Sequence, residues 1–335
     1  SGSGLISGSL TNSNSASTDV VYTITATSAA GCASISPATV TVRVHPTPTA
    51  TISNPTQTIC SESLATINLI NPTVTGATTT YSISSGSNAN VTGSLTPSGS
   101  SISGTLTNTT NTTQVTTFTI SAIANGCTNA IGTATITVTP KPTVLATLTT
   151  PASICSGDAV NINLTNPNGV AGTTYEWTSS NPAAGIANGS SGTGNIAGAL
   201  TNNGTASITV NFTIRAVSGG CRSNDDTTVS ITVLPRPQIT VTNNNQSICH
   251  NTAMTAMNIS TNLTGTTTYS WTRDNGDLTT GNIRSIAASG TGNLPVNISG
   301  TLTNHTTSTQ TTTFTITATN ANGCTNTTTA NVTVY

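Results

Sequence analysis

The chain has 335 residues and a net charge of −1 at pH 7, and only 4% of its residues are charged, against about 25% in ordinary soluble domains. Without a basic run it lacks electrostatic steering towards nucleic acid or an anionic membrane surface, and we expect no nucleic-acid partner. No apolar run approaches the ~20 residues of a membrane-spanning helix, so we expect no membrane insertion within this segment.

Hydrophobic alternation separates this chain from a disordered one of similar composition. Residues 118–122 read Phe-Thr-Ile-Ser-Ala and residues 133–138 read Thr-Ala-Thr-Ile-Thr-Val. Strict alternation of this kind places one face of a strand in a core and the other face in water. Helical spacing appears nowhere, so the sequence predicts an all-β protein.

Short motifs return in a fixed order and divide the chain into units. Each unit opens with a Pro-x-Pro joint and a strand-like run that ends in Ile-Cys. An apolar alternation follows, and then a Thr-Thr-Tyr strand, which continues into Trp in two of three units. The joints lie at residues 46–48, 140–142 and 235–237, the cysteines are Cys60, Cys155 and Cys249, and the tyrosines are Tyr81, Tyr175 and Tyr269.

The second half of each unit carries Leu-Thr-Asn, an aromatic-led strand, a Gly-Cys hairpin and a last alternating strand. The period is 95 residues from Cys60 to Cys155 and 94 from Cys155 to Cys249. Residues 1–45 carry only second-half motifs, so we expect the chain to be a piece or processed form of a longer protein. The asparagines are Asn12, Asn108, Asn202 and Asn304, and the hairpin cysteines are Cys32, Cys127, Cys221 and Cys324.

These units predict tandem Ig-like sandwiches. Six or seven short strands in about 95 residues, with frequent turn residues, indicate a two-sheet antiparallel β-sandwich. Pro-x-Pro favours stiff, extended joints, so we expect an extended rod of roughly 130 Å. The predicted divisions are a half-repeat (1–45), repeat A (46–140), repeat B (141–235) and repeat C (236–335).

Seven cysteines without a Cys-x-x-Cys pair indicate disulfides rather than a metal site, and therefore an oxidising, extracellular location. Two pairings compete. Pairing within a repeat is favoured, because cysteines across a boundary would lie far apart along the rod; it requires the Ile-Cys strand to bend or cross. The within-repeat bonds are Cys60–Cys127, Cys155–Cys221 and Cys249–Cys324, and the boundary bonds are Cys32–Cys60, Cys127–Cys155 and Cys221–Cys249.

Residues for chemistry are few. We expect His45, His250 and His305 not to meet within one sandwich, which leaves no Ser-His-Asp arrangement. Residues 274–277 read Asp-Asn-Gly-Asp, which fits a hairpin turn better than a calcium site, since the sequence does not recur in each unit. The sequence therefore predicts no catalytic residue, no metal site and no cofactor, and it leaves the ligand-binding residues unknown.

In their order and spacing the motifs resemble the PKD-like repeats of Bacteroidota. These repeats are strung along giant cell-surface proteins such as the mobile adhesin of gliding flavobacteria. The residues that carry the resemblance are residues 154–157 (Ile-Cys-Ser-Gly), residues 175–177 (Tyr-Glu-Trp) and residues 125–127 (Asn-Gly-Cys), together with Leu-Thr-Asn, Phe-Thr-Ile and Pro-x-Pro. The resemblance implies export through the type IX secretion system and a role at the cell surface.

Two functions remain open at this point. One is a non-catalytic stalk or filament segment of a secreted surface adhesin, whose partners are other repeats of the same long chain and possible neighbouring filament chains. The other is a binding module for surface polysaccharide. The half-repeat adds a question, because its unpaired strand edges need either a preceding half or a strand from a neighbouring chain.

Overall fold

The computed structural model describes residues 5–186, 189–191, 194–275 and 280–335. In that part of the chain the structure is all-β apart from one 3₁₀ turn at Pro182–Ala184. No helix among these residues is long and apolar enough to cross a membrane. The first of two structural units comprises Ser1–Thr143, Asn166–Thr173 and Ala216–Asn224, and the second comprises Val144–Thr165, Thr174–Arg215 and Asp225–Tyr335.

The half-repeat contributes a two-stranded antiparallel ribbon. Strand β1 (Thr18–Ile24) pairs with β2 (Ala38–Val44) along its whole length. Large apolar side chains of this ribbon, among them Val21 and Val40, are exposed, because two strands alone offer no second sheet to pack against.

Repeat A forms the predicted two-sheet sandwich. One sheet has the strand order β3-β5-β9-β7, with β8 also paired to β9, and the other has the order β4-β11-β10-β6. The strands are β3 (Thr51–Ile52), β4 (Thr56–Cys60), β5 (Ser63–Ile70), β6 (Thr80–Ile83), β7 (Val91–Thr92), β8 (Thr96–Ser98), β9 (Ser101–Asn108), β10 (Gln114–Ala124) and β11 (Cys127–Thr139).

Repeat B has the same arrangement. Its sheets have the orders β12-β14-β17 and β13-β20-β18-β15-β16, and β19 pairs with the end of β18. The strands are β12 (Leu145–Leu148), β13 (Ser153–Cys155), β14 (Ala159–Thr165), β15 (Thr174–Ser179), β16 (Gly189–Ser191), β17 (Asn195–Ala199), β18 (Ile208–Ser218), β19 (Cys221–Arg222) and β20 (Thr227–Leu234).

Repeat C repeats the pattern a third time. Its sheets have the orders β21-β23-β27-β25 and β22-β29-β28-β24-β26. The strands are β21 (Ile239–Val241), β22 (Asn245–Ile248), β23 (Thr252–Thr261), β24 (Thr267–Arg273), β25 (Ile283–Arg284), β26 (Ser289–Asn293), β27 (Val296–Asn304), β28 (Gln310–Asn320) and β29 (Thr325–Val334).

The predicted fold class is confirmed, with one refinement. Most strand pairs are antiparallel, but in every full repeat the Ile-Cys strand runs parallel to the last strand: β4 with β11, β13 with β20, and β22 with β29. A parallel pair brings the carboxyl ends of both strands to the same end of the sheet. This one feature sets the position of the Ile-Cys cysteines.

The cores follow the alternation in the sequence. Phe118, Phe212 and Phe314 begin the aromatic-led motif of their repeats and are buried. In repeat C the ring of Trp271 lies 5.4 Å from that of Phe314. On the neighbouring strand only glycine fits beside this indole, because a Cβ at Gly290 would come within 2.5 Å of the Trp271 Nε1.

The Leu-Thr-Asn motif ties each repeat together. In repeat C the Asn304 amide donates to the carbonyls of Ser308 and Val334, and its Oδ1 accepts from the N–H of Thr306. The side chain thus closes the turn before the aromatic strand and holds the end of the last strand. Asn12, Asn108 and Asn202 make equivalent bonds in the other repeats.

Candidate functional site: the cysteine junctions

The disulfides connect consecutive repeats. Cys60 of repeat A is bonded to Cys221 of repeat B, and Cys155 of repeat B is bonded to Cys324 of repeat C. The predicted within-repeat pairing of Cys60–Cys127, Cys155–Cys221 and Cys249–Cys324 is therefore wrong, and the boundary pairing of cysteines 28 residues apart does not occur either. In both bonds an Ile-Cys thiol is joined to the Gly-Cys thiol of the following repeat.

Repeat A shows why its own cysteines cannot meet. Cys60 ends β4 and lies beside Thr139 at the end of β11. Cys127 begins β11, so the two thiols stand at opposite ends of one strand, roughly 40 Å apart at ~3.3 Å per residue. A disulfide spans about 7 Å between Cα atoms at most. Repeat C obeys the same rule, since Ile248 pairs with Val334 whereas Cys324 precedes β29.

Asparagines hold the Gly-Cys hairpin against the joint that precedes its repeat. In repeat C the amides of Asn320 and Asn326 donate to the carbonyls of Pro235 and Pro237, both at 2.9 Å. In repeat A the equivalent residue Asn129 donates to the carbonyl of Pro48. The hairpin cysteine is therefore positioned where its repeat begins, next to the end of the preceding one.

At the junction between repeats A and B, in the first unit, the middle residue of Pro-x-Pro is a cation. The Lys141 Nζ lies 2.7 Å from the Asn224 Oδ1 and 3.5 Å from a Glu62 carboxylate oxygen. The Asn224 amide also donates to Glu62 at 2.6 Å. This hydrogen bond, with a smaller contribution from the charge of Lys141, holds the pKa of Glu62 below its usual range.

The junction between repeats B and C, in the second unit, has a stronger version of this arrangement. The Arg236 guanidinium donates to the Asp158 carboxylate and to the carbonyls of Ser156 and Thr325, each at 2.6 Å. Asp158 and Ser156 follow the Ile-Cys of repeat B, and Thr325 follows the Gly-Cys of repeat C. One side chain therefore bridges both sides of the Cys155–Cys324 bond.

Three cysteines are free. Cys32 and Cys249 are exposed, and Cys127 is half-buried. The prediction that Cys127 and Cys249 form disulfides within their own repeats is therefore wrong. Both thiols nevertheless occupy the motif positions that are bonded in other repeats: Cys127 is a Gly-Cys cysteine and Cys249 an Ile-Cys cysteine.

The expectation that the histidines stay apart is also wrong for one pair. The rings of His250 and His305, both in repeat C, lie 6.3 Å apart in an edge-on arrangement. They meet because Cys249 and the Leu-Thr-Asn motif reach the same end of the sandwich, where the Asn251 N–H donates to the carbonyl of Leu302. Among the described residues, no group of three His, Cys, Asp or Glu could hold a metal ion.

Asp274 and Asp226 have structural partners. The Asp274 carboxylate accepts from the Thr312 hydroxyl and from the Thr313 N–H, whereas residues 276–277 of the same cluster lie outside the described residues. Asp226 forms a two-pronged ion pair with Arg215, at 2.6 and 2.8 Å. Beside Asp274, the buried Arg273 guanidinium donates to the carbonyls of Asn275, Ile283, Ile286 and Ala287, and burial lowers its pKa.

The junction chemistry was partly visible in the sequence. The cysteines and the Pro-x-Pro cations are there, but the parallel pairing that decides the disulfides leaves no local signal. The one available sign was that the first turn and the last hairpin of a sandwich lie at opposite ends, which argued against a bond within one repeat.

A family model described as PKD-like domain matches residues 1–48, 57–142 and 152–237. No curated protein matches the sequence. Among solved structures, the I67–I69 fragment from titin is 9% identical, with 86% of this chain and 96% of that one covered and a TM-score of 0.33. Drosophila N-cadherin EC1-4 is 11% identical, with 95% and 83% covered and a TM-score of 0.26. The extracellular domains 3–5 of Drosophila OTK are 8% identical, with 85% and 96% covered and a TM-score of 0.28.

Proposed function

The chain belongs to the PKD-like domain family, and we propose that it is a non-catalytic stalk segment of a large secreted bacterial surface adhesin, built to bear tension. Its location would be extracellular, at the cell surface, where disulfides persist. The observation that carries the proposal is the bonding of consecutive repeats through Cys60–Cys221 and Cys155–Cys324.

The two disulfides form overlapping loops, and this overlap limits how far the chain can be stretched. Without disulfides, tension on the ends could draw out all 264 residues from Cys60 to Cys324 once the repeats unfold. With both bonds, the shortest covalent path between the two disulfides is the 66-residue segment from Cys155 to Cys221. Unfolding of the repeats between the two bonds therefore releases at most the length of this segment, a quarter of the 264 residues, which suits a stalk of limited extension.

Single-molecule pulling on the intact chain tests the proposal. The oxidised segment between Cys60 and Cys324 should extend to no more than about 230 Å, at ~3.5 Å per residue. After reduction, the same segment should reach roughly 900 Å. A control in which Cys60 and Cys155 are both replaced by serine should behave like the reduced chain without any reductant.

An oxidised chain that releases the full length of successive repeats would contradict the tension-bearing role.

Low-angle scattering of the intact chain tests the predicted rod shape. A maximum dimension far below the roughly 130 Å expected for three and a half sandwiches end to end would contradict it.

The alternative of a polysaccharide-binding module has less support. Sugar-binding surfaces commonly present aromatic rings to solvent, but Tyr81, Tyr175, Tyr269 and Trp271 are buried in their sandwiches. Glycan-array binding by the intact chain would favour that alternative.

A further inference from the structure

Three side chains at the junction between repeats A and B, all in the first unit, bring an amine, a side-chain amide and a carboxylate together. The Lys141 Nζ lies 2.7 Å from the Asn224 Oδ1, and the Asn224 amide donates to the Glu62 Oε2 at 2.6 Å. The same Oε2 lies 3.5 Å from the Lys141 Nζ. We propose that this triad modifies itself: Lys141 and Asn224 form an isopeptide bond, and Glu62 carries the protons.

The reacting atoms are already close to each other. The Asn224 Oδ1 is 2.7 Å from the Lys141 Nζ and about 1.2 Å from its own carbon, so the Nζ and the Cγ are at most about 3.9 Å apart. Atoms that are ready to react lie about 3–3.5 Å apart. A small rotation of the flexible lysine side chain therefore brings its nitrogen from the oxygen of the amide to the carbon.

The backbone holds each member of the triad in place. Glu62 comes two residues after Cys60 and Asn224 three residues after Cys221, and these cysteines are bonded to each other. Lys141 stands between the two prolines of its joint, which restrict the backbone there. Reactants held in this way meet in an intramolecular step, for which effective molarities of about 10⁵–10⁸ M are reached when the orientation is right.

The reaction exchanges one amide for another. The Glu62 carboxylate takes a proton from the Lys141 ammonium, and the neutral amine attacks the Asn224 Cγ. The acid form of Glu62 then protonates the Asn224 Nδ2, and the bond between Cγ and Nδ2 breaks. The attacking nitrogen gives its second proton to the leaving ammonia. A lysine ammonium and an asparagine amide thus become an isopeptide and one ammonium ion.

The surroundings suit both the proton transfer and the departure of ammonia. The hydrogen bond from Asn224, and to a smaller extent the charge of Lys141, hold the pKa of Glu62 below its usual range, so the carboxylate is ionised at neutral pH. The Lys141 side chain is only 23% exposed, whereas that of Glu62 is 47% exposed. The amine is therefore largely shielded from water, while the carboxylate side of the triad stays open to solvent.

The junction between repeats B and C offers a comparison within the same chain. Arg236 occupies the place of Lys141 there, with Asp158 as its carboxylate partner. A guanidinium stays protonated and does not act as a nucleophile, and the third residue after Cys324 is Thr327 instead of an asparagine. We expect no isopeptide at that junction. Lys141→Arg is therefore the matched control, because the fold accepts arginine at this place in the joint.

Mass spectrometry of the intact chain, with its disulfides reduced, tests the inference. The expected mass is about 17 Da below that of the sequence, because one ammonia is lost. Proteolysis should give the Lys141 peptide joined to the Asn224 peptide. The loss should disappear in Lys141→Arg and in Asn224→Ala, and Glu62→Gln should form the bond about 100-fold more slowly. Mapping of Cys60–Cys221 in unreduced samples confirms the fold of each variant.

Four results would overturn the inference. They are a reduced chain with its full sequence mass, a loss that persists in Lys141→Arg, a linked peptide that lacks Lys141 or Asn224, and a Glu62→Gln variant that forms the bond at the parent rate. The second of these would indicate a cyclic imide at an asparagine, which has the same mass but does not need the lysine.

The tension-bearing role is tested independently of this bond. The isopeptide survives reduction, so the reduced segment between Cys60 and Cys324 keeps the 81 residues up to Lys141 and the 100 residues after Asn224 extensible, about 630 Å at ~3.5 Å per residue. The length of roughly 900 Å belongs to a reduced chain without the bond, as in Lys141→Arg. The upper limit for the oxidised chain holds with or without the isopeptide, so failure of either inference leaves the other untouched.

Discussion

The asparagine of Leu-Thr-Asn is a single side chain on which each sandwich depends. Replacement of Asn304 by alanine leaves the carbonyls of Ser308 and Val334 and the N–H of Thr306 without their partner. We expect repeat C to lose about 3 kcal/mol of unfolding free energy. Denaturant unfolding followed by Trp271 fluorescence, with Trp177 replaced by phenylalanine, measures it. Asn331, exposed on β29, is the matched control, and equal losses for the two variants would contradict the assigned role.

Glu62 should make the stability of the junction between repeats A and B sensitive to acid. Its pKa is lowered in the folded chain, so its stabilising contribution is present above the unfolded value of about 4.3 and is lost as the pH falls through the folded pKa. The ion pair of Glu62 and Lys141 is partly exposed, which limits its contribution to the free energy of unfolding to about 1 kcal/mol or less. Unfolding measured at pH 7 and pH 3 should differ less in Glu62→Gln than in the parent chain, and an unchanged difference would count against the interaction.

At the scale of residues, the sequence predicted which side chains pack in the cores but not which groups form hydrogen bonds with each other. Alternation correctly predicted that one face of residues 118–122, which begin with Phe118, lies in a core. The Leu-Thr-Asn motif was visible as a repeat, but its function was not, because the carbonyl that each asparagine holds on the last strand lies about 30 residues away. The contact between His250 and His305 was also missed, because the two residues are far apart in the sequence and meet only at one end of the folded sandwich.

At the scale of elements, the parallel pairing of the Ile-Cys strand with the last strand determines which cysteines can form a disulfide. Strand content, repeat order and the sandwich followed from local patterns. The register of β4 beside β11 did not, since a parallel pair lacks a connecting turn that could be read from the sequence. A cysteine at the end of a strand is therefore placed by a distant partner strand, and the predicted disulfides failed at that point.

Arg236 should control access to the disulfide beside it. Replacement by glutamine removes the charge-assisted bonds to Asp158, Ser156 and Thr325. Because the ion pair is partly exposed, we expect these bonds together to contribute about 1.5 kcal/mol. We expect Cys155–Cys324 to be reduced roughly tenfold faster, because an opening cost of 1.4 kcal/mol corresponds to a factor of ten. Cys60–Cys221 in the same molecule is the internal control, and an unchanged ratio of the two rates would contradict this role.

At the scale of the whole molecule, repeats A and B, and likewise repeats B and C, are linked twice, once by the Pro-x-Pro joint and once by a disulfide. A chain of independent sandwiches would give way one repeat at a time under load. The second linkage changes this because no repeat between Cys60 and Cys324 can release its full length while its neighbours remain bonded. Both bonds have the same polarity along the sequence, since each joins an Ile-Cys thiol to the Gly-Cys thiol of the following repeat.

Peptide mapping of the oxidised chain without reduction tests this connectivity most directly. After alkylation of free thiols and proteolysis, mass spectrometry should find Cys60 linked to Cys221 and Cys155 linked to Cys324, and Cys249 should be alkylated. Linked peptides that join Cys60 to Cys127 and Cys249 to Cys324 would show repeats that are closed on themselves, and would contradict the account.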